Sequence, residues 1–318
     1  MRRISNLSSQ FSISLPHDDE GFIGRECPAA ECEGYFKLQP GTGLKGENLP
    51  CYCPYCGHGA GTEEFCTKAQ VEYATSFVMH QVTGALLKDL KSLERNHRPK
   101  DAFEIDISIK VSGKPTAMRH YRESKLETEV VCERCTLRYT IYGVFGFCPD
   151  CAVHNSRQIL NKNLELVEKL LEVSETQETP VAQHLIENAL EDCVSAFDGF
   201  GRETCRVFAP KAVKPEKAAE IRFQNIAAAR DRVREEFRVD FAATAAPSDW
   251  KHIVRAFQKR HLLAHKIGVV DEDYLSATGD SSSLLGRKVS IQAPEVRELS
   301  GRLQELGREL FTLLEAKP

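Results

Sequence analysis

The chain has 318 residues, with 42 Lys or Arg against 46 Asp or Glu, so the formal charge is 42 − 46 = −4. That near balance excludes a globally basic nucleic-acid coat and an acidic tail protein, leaving only local charged patches open. At roughly 100 to 200 residues per domain the length predicts two or three units with ample core. Gly and Pro total only 20 + 14 = 34, which excludes a low-complexity chain.

Residues 1–20 read as a flexible tail. Arg2 and Arg3 are followed by Asn6, Ser8, Ser9, Gln10 and Ser12 instead of an apolar run, so no secretory signal is expected. No stretch approaches the roughly 18 apolar residues of a membrane span, and the expected location is the cytoplasm. In a reducing compartment the twelve Cys point to metal ligation, not to a disulfide framework.

Eight of the twelve Cys fall into four short pairs: Cys27 with Cys32, Cys53 with Cys56, Cys132 with Cys135, and Cys148 with Cys151. A short pair places two thiolates on one tight knuckle, and two knuckles supply the four ligands of tetrahedral Zn²⁺. Residues 21–61 and 132–152 therefore each resemble a zinc ribbon, with two structural Zn²⁺ ions in all. Four Cys leave no vacant position, so a catalytic ion is not expected. Cys51 and His58 flank the first cluster and remain open as substitute ligands. A reading of these Cys as small buried hydrophobes does not account for four pairs. Cys66, Cys193 and Cys205 stand alone and read as core residues.

Between the clusters, residues 62–131 read as a long helix and a β-hairpin. Thr62 is placed to cap, with Glu63 and Glu64 in the first turn and apolar residues from Phe65 to Leu93. The basic stretch Arg95, His97, Arg98 and Lys100 follows, and Pro99 within it breaks the helix. Phe103, Ile105, Ile107, Ile109 and Val111 then alternate with polar residues, which predicts a strand, and 124–131 is its expected partner. Lys114, Arg119, His120 and Arg122 between them either extend a basic face or form an ordinary solvated loop. In the second cluster, the twelve residues TLRYTIYGVFGF between the knuckles predict a hairpin.

Residues 153–318 read as a helical bundle. Apolar spacing of three and four marks 156–174, 181–208, 215–241, 248–267 and a last helix over about 294–316, with breaks at Pro180, Pro210, Pro215 and Pro247. Lys288 to Gln292 reads as a short strand. The expected class is thus multidomain: an N-terminal α+β region with two zinc ribbons and a C-terminal all-α domain.

The most informative helix begins at Pro247, with Ser248 placed to cap and Gly268 to stop it. At about 100° per residue from Trp250, the residues Ile253, Val254 and Phe257 form an apolar stripe. His261 at about 20°, His265 at about 60° and Arg260 at about 280° continue that stripe, while Lys251, Arg255, Lys259 and Lys266 lie on a side suited to solvated charge. Charge on a core-facing line requires pairing, an interface or a pocket. One resolution is that His261 is a satisfied core residue and Arg260 pairs with Glu187, Glu191 or Asp192.

The run Arg260, His261, Leu262, Leu263, Ala264, His265 resembles the Arg, polar residue, three spacers, His signature of HEPN-superfamily ribonucleases. The resemblance extends over about residues 155–318, through Gly268, Val269, Val270, Asp271, Tyr274 and Leu275 to Gly286–Ile291 and the last helix. His261 stands where Asn or Asp is usual. The resemblance implies a HEPN-like bundle that dimerises, and metal-independent cleavage of RNA through attack of the ribose 2′-hydroxyl. It implies His265 as base or acid, Arg260 on the scissile phosphate and His261 orienting them, with a role in stress response, toxin action or antiviral defence. RNA and a second copy of the chain are the expected partners, the ribbons and basic loops gripping RNA. Two other readings remain: a non-catalytic dimerising module that binds nucleic acid or protein, and a catalytic metal on His261 and His265, against which stands the absence of a Glu between them.

Overall fold

The computed structural model describes residues 5–7, 10–46, 49–97, 107–126 and 128–317. Two compact units divide the chain, Met1–Val153 and His154–Pro318. The first is a small sheet region carrying the Cys clusters and the second is mostly helical.

In the first unit, β1 (Ile23–Glu26), β2 (Tyr35–Leu38), β7 (Thr128–Val131) and β8 (Arg138–Ile141) form one antiparallel sheet in the order β1-β2-β8-β7. Alternation along the strands sends Phe36, Val130, Tyr139 and Ile141 into a core shared with Phe65 and the cysteines. The sheet is built from both cysteine segments and has an internal two-fold relation. Each outer strand pairs with its neighbour across a cysteine knuckle, and β2 meets β8 with Lys37 opposite Thr140. Gly24 lies opposite Lys37 and Glu129 opposite Thr140, so the two hairpins are in equivalent register about that central pair.

The hairpin of the second cluster thus runs from β7 to β8 across the Cys132–Cys135 knuckle, and does not lie within the twelve residues between Cys135 and Cys148 where the sequence predicts it. Those residues contribute one strand, whose partners are residues preceding Cys132 and the distant β2, a pairing no local pattern reveals. Likewise, residues 128–131 pair with β8 and not with the alternating segment. Of that segment, β6 (Ile107–Ile109) pairs with β5 (Arg95–His97), and Phe103 and Ile105 lie outside the described residues, as do Arg98 and Lys100. The remaining pair is β3 (Pro50–Tyr52) with β4 (Gly59–Gly61).

The long helix starts later than Thr62. A single 3-10 turn, Thr62–Phe65, ends at the extended Cys66, and α1 (Lys68–Lys91) begins after Thr67. Thr67 is the effective cap because Gln70 completes a capping box with it, the Thr67 side chain accepting from Gln70 N and Gln70 Oε1 accepting from Thr67 N at 3.1 Å. Cys66 is half-buried in this extended link and is not a helix residue. The segment 111–122 runs along α1: Arg119 N donates to Ser76 Oγ at 2.9 Å, Thr116 N donates to Thr83 Oγ1 at 2.9 Å, and the Tyr73 and Tyr121 rings meet edge to face. Arg119 is exposed and paired with Glu72, as in an ordinary surface loop.

In the second unit, α2 (Ser156–Ser174), α3 (Thr179–Phe208) and α8 (Ala293–Glu315) pack their apolar stripes together. Leu160, Leu164, Val167 and Leu171 repeat at helical spacing and face Leu299, Leu303, Leu306 and Leu310 in a fully buried core. Cys193 and Cys205 are buried on α3, as small core residues should be. Phe197, Phe223 and Phe241 extend this core to α6 (Pro247–Lys266) through Phe257. The expected helix 215–241 is instead two, α4 (Pro215–Ala219) and α5 (Ile226–Phe237), because Asp198 Oδ1 accepts from Phe223 N at 2.6 Å and holds the intervening loop on α3. Pro180, Pro215 and Pro247 occupy first turns and start helices, since a Pro there sacrifices no intrahelical bond. Between α6 and α8 lies α7 (Glu272–Thr278). Lys288–Gln292 is not a strand; Lys288 makes one isolated bridge with Val269.

Candidate functional site

Both Cys quartets close. In each, the four sulfurs lie within 4.8 Å of one another. Cys27 Sγ is 3.7 Å from Cys56 and Cys32 is 3.7 Å from Cys53; Cys132 is 3.6 Å from Cys151 and Cys135 is 3.4 Å from Cys148. A tetrahedron of sulfurs at the roughly 2.3 Å typical of a thiolate–zinc bond has edges of about 3.8 Å, so the donor sets fit a four-coordinate metal ion. Cys51 is buried outside the first quartet, burial pushing its thiol up to about 12, and His58 is exposed.

The backbone explains the fit. In the first cluster Cys53 N donates to His58 O at 2.8 Å and Gly57 N to Cys53 O at 2.9 Å; in the second, Cys148 N donates to Val153 O at 2.9 Å and Ala152 N to Cys148 O at 3.0 Å. Gly57 and Ala152 occupy the same position with positive φ of 72° and 56°. The sequence signal for this equivalence is the pair of tetrapeptides Cys53-Pro54-Tyr55-Cys56 and Cys148-Pro149-Asp150-Cys151. Crowding sets the thiol chemistry. A hydrogen bond from Cys148 pulls Cys132 down to about 4 and correspondingly pushes Cys148 up. In the first quartet burial raises Cys27 to about 11. A cation would relieve the repulsion that stops all four from ionising together.

The Arg260, His261, His265 group lies elsewhere than a core-facing line. His261 and His265 are exposed, with ring centroids 4.7 Å apart, and Arg260 is half-buried. The helix buries Ile253, Ala256, Phe257 and Leu262. Leu262 faces the other way from the first three because Val270 and Tyr274 cover that side, and the two His fall on the flank left between. Arg260 Nε is buried without a hydrogen-bond partner, and the guanidinium forms no ion pair among the described residues. Glu187, one of its expected partners, faces Lys288 at 3.8 Å instead.

Three of the four charges assigned to a solvated side have an acid within reach, Lys266 only loosely, with Asp271 at 3.9 Å. Arg255 makes a two-pronged contact with Asp280, at 3.1 and 2.5 Å, and Asp280 also accepts from Tyr274 OH at 2.9 Å. Lys259 is largely buried against Glu295 at 2.9 Å and Ser290 O at 2.8 Å. The acids come from later in the chain, so the run of five basic residues without an acid in 251–268 is partly neutralised by the fold. Ser248 does not cap the helix; its hydroxyl contacts Asp249, and Ala246 occupies the cap. At the other end, Ile267 enters the left-handed region before Gly268, whose N–H closes on Leu262 O at 2.9 Å.

No helix among the described residues is long and apolar enough to cross a membrane. Compared with known proteins, the chain matches no family model, curated protein or solved structure.

Proposed function

We propose that the protein is a metal-independent endoribonuclease of the HEPN type, its helical unit carrying the cleavage site and its two Cys quartets acting as structural zinc ribbons. The observation that carries this reading is Arg260: a permanently charged side chain with a buried, unpartnered donor, one residue from His261 and five from His265, whose rings are open to solvent. An uncompensated guanidinium suits an anion, and two adjacent, exposed imidazoles suit proton transfer.

In the proposed reaction, neutral His265 takes the proton of a ribose 2′-hydroxyl and the oxygen attacks the adjacent phosphorus. The bond from phosphorus to the 5′-oxygen breaks, leaving a 2′,3′-cyclic phosphate, and a protonated imidazole donates to the departing 5′-oxygen. Arg260 steadies the added negative charge and His261 orients its neighbour. One imidazole cannot start as both base and acid, so a second copy of the chain supplies the other through a two-fold contact of this helix. Exposure of both His and of Ile267 at 84% is consistent with such a contact.

The test is RNA cleavage in excess chelator by the wild type, Arg260→Ala and His265→Ala, with end-group analysis of the fragments. Cyclic phosphate ends from the wild type and at least a hundredfold loss in each variant are expected. Equal activity in the variants, or no cleavage by the wild type, would refute the reading. Binding without cleavage would favour the non-catalytic module.

A further inference from the structure

The helical unit holds a second cationic feature away from Arg260. A groove of about 740 Å³ opens between α3, the loop 220–225 and the first turns of α5, lined by Arg202, Arg222 and Arg232 together with Glu220, Gln224 and Asn225. Its floor is rigid. Asp198 fixes the loop through Phe223 N, and Phe223 packs so closely on α3 that a Cβ at Gly201 would sit 2.5 Å from its ring.

The charge of this lining is three Arg against one Glu, a net of 3 − 1 = +2. Arg202 reaches Asp198 only at 4.0 Å and is half exposed. Arg222 and Arg232 are exposed and form no ion pair among the described residues, although other Arg nearby do: Arg230 is held by both oxygens of Asp240 at 2.7 Å. Asp240 is thus engaged by Arg230 and Arg234, away from the groove, whose own lining stays cationic. Gln224 and Asn225 add amide groups at the same rim.

We infer that this groove binds the phosphodiester backbone of single-stranded RNA, the three guanidiniums contacting successive phosphates. Guanidinium donors arrayed on three separate elements suit a chain of phosphates better than one compact ion, and the groove is far roomier than a single phosphate needs. The amide NH2 groups can donate to ribose 2′-oxygens without reading a base, so the contact is independent of sequence. The choice of RNA as the phosphodiester chain rests on the proposed function, whereas the phosphate contacts themselves do not require cleavage.

The experiment uses the full chain and a fluorescent single-stranded RNA with 2′-O-methyl riboses, which can be bound but not cut by 2′-hydroxyl attack. Anisotropy titrations over a range of salt compare the wild type, Arg222→Glu/Arg232→Glu and Arg222→Lys/Arg232→Lys, with thermal melts confirming that all three are folded. At least a tenfold loss of affinity is expected for the charge reversal, with the slope of log K against log salt shallower by about 1.4, since each lost phosphate contact removes about 0.7 on a single strand. The Lys variant should stay within about threefold of the wild type. Unchanged affinity and slope on charge reversal, or no binding by the wild type, would overturn the inference. So would displacement by inorganic pyrophosphate at matched phosphate concentration, which would identify a free-phosphate site. Cleavage of ordinary RNA by the charge-reversal protein is read separately, so loss of the groove and loss of the nuclease reading give different results.

Discussion

The N–H of Tyr52 donates to the carbonyl of Pro149 at 2.8 Å. Tyr52 precedes the first Cys of one knuckle, and Pro149 follows the first Cys of the other. The reverse bond also exists, from Phe147 N to Pro54 O at 2.8 Å. Each Cys quartet therefore leans on the backbone of the other, above a sheet whose two central strands come one from each segment.

From this reciprocity follows coupled metal loss. Cys56 is exposed, so Cys56→Ser changes one ligand with little repacking. Metal content by mass spectrometry should fall from about two ions per chain to well below one, because the second quartet loses the strands and carbonyl that shape it. Retention of one full ion, with the far-ultraviolet spectrum unchanged, would show that the quartets are independent.

Two glycines two residues apart on α3 should respond with opposite sign. At Gly201 an added Cβ meets the Phe223 ring at 2.5 Å, whereas at Gly199 nothing lies within 4 Å. Gly201→Ala should cost about 1–3 kcal/mol through overpacking. Gly199→Ala should gain about 0.5–1 kcal/mol from helix propensity. Chemical denaturation of the two variants decides the matter, and equal shifts would contradict the packing.

Acid should weaken the helical unit through Glu203. Burial alone would raise its pKa, but hydrogen bonds from buried His154 and from Arg206 outweigh it and hold the carboxyl down to about 2. Its ordinary value is 4.5, so the native state binds this proton less readily than the unfolded chain. The stabilisation is present above about pH 4.5 and is lost as the pH falls towards 2. Its size is on the order of 1–3 kcal/mol. Glu203→Gln should be less stable at neutral pH and show a flatter dependence between pH 4.5 and 2, read from urea midpoints.

At the end of α6, Ile267 takes φ of 53° with its side chain 84% exposed. A β-branched residue is strained in that region and gains little there from burial. Ile267→Gly should therefore raise stability by about 1 kcal/mol. If the exposed side chain serves a contact between two copies, the same variant will also weaken self-association in sedimentation velocity. An unchanged or lowered melting temperature would mean that the strain is absent.

The residues of α2, Ser156–Ser174, could be read directly, because Leu160, Leu164, Val167 and Leu171 repeat with the helix and need no knowledge of what covers them. The face of α6 could not. The periodicity from Trp250 places His261 and His265 on the apolar line, yet both are exposed, and Leu262, on the side of the cations, is buried under Val270 and Tyr274 after the chain reverses at Ile267. A helix has no inside until its neighbours arrive, and here a short helix and loop cover a side that polarity alone marks as outer.

Local chemistry, by itself, determined the cysteine pairs, the helical second half and the presence of an Arg-His-His run, since each depends on spacings within a few residues. Tertiary structure decided which strands join the two quartets, which cations are neutralised by Asp280 and Glu295, and which Arg face an open groove. Those outcomes rest on contacts between residues 25 to more than 100 positions apart, whose energies depend on proximity that no local sequence pattern encodes.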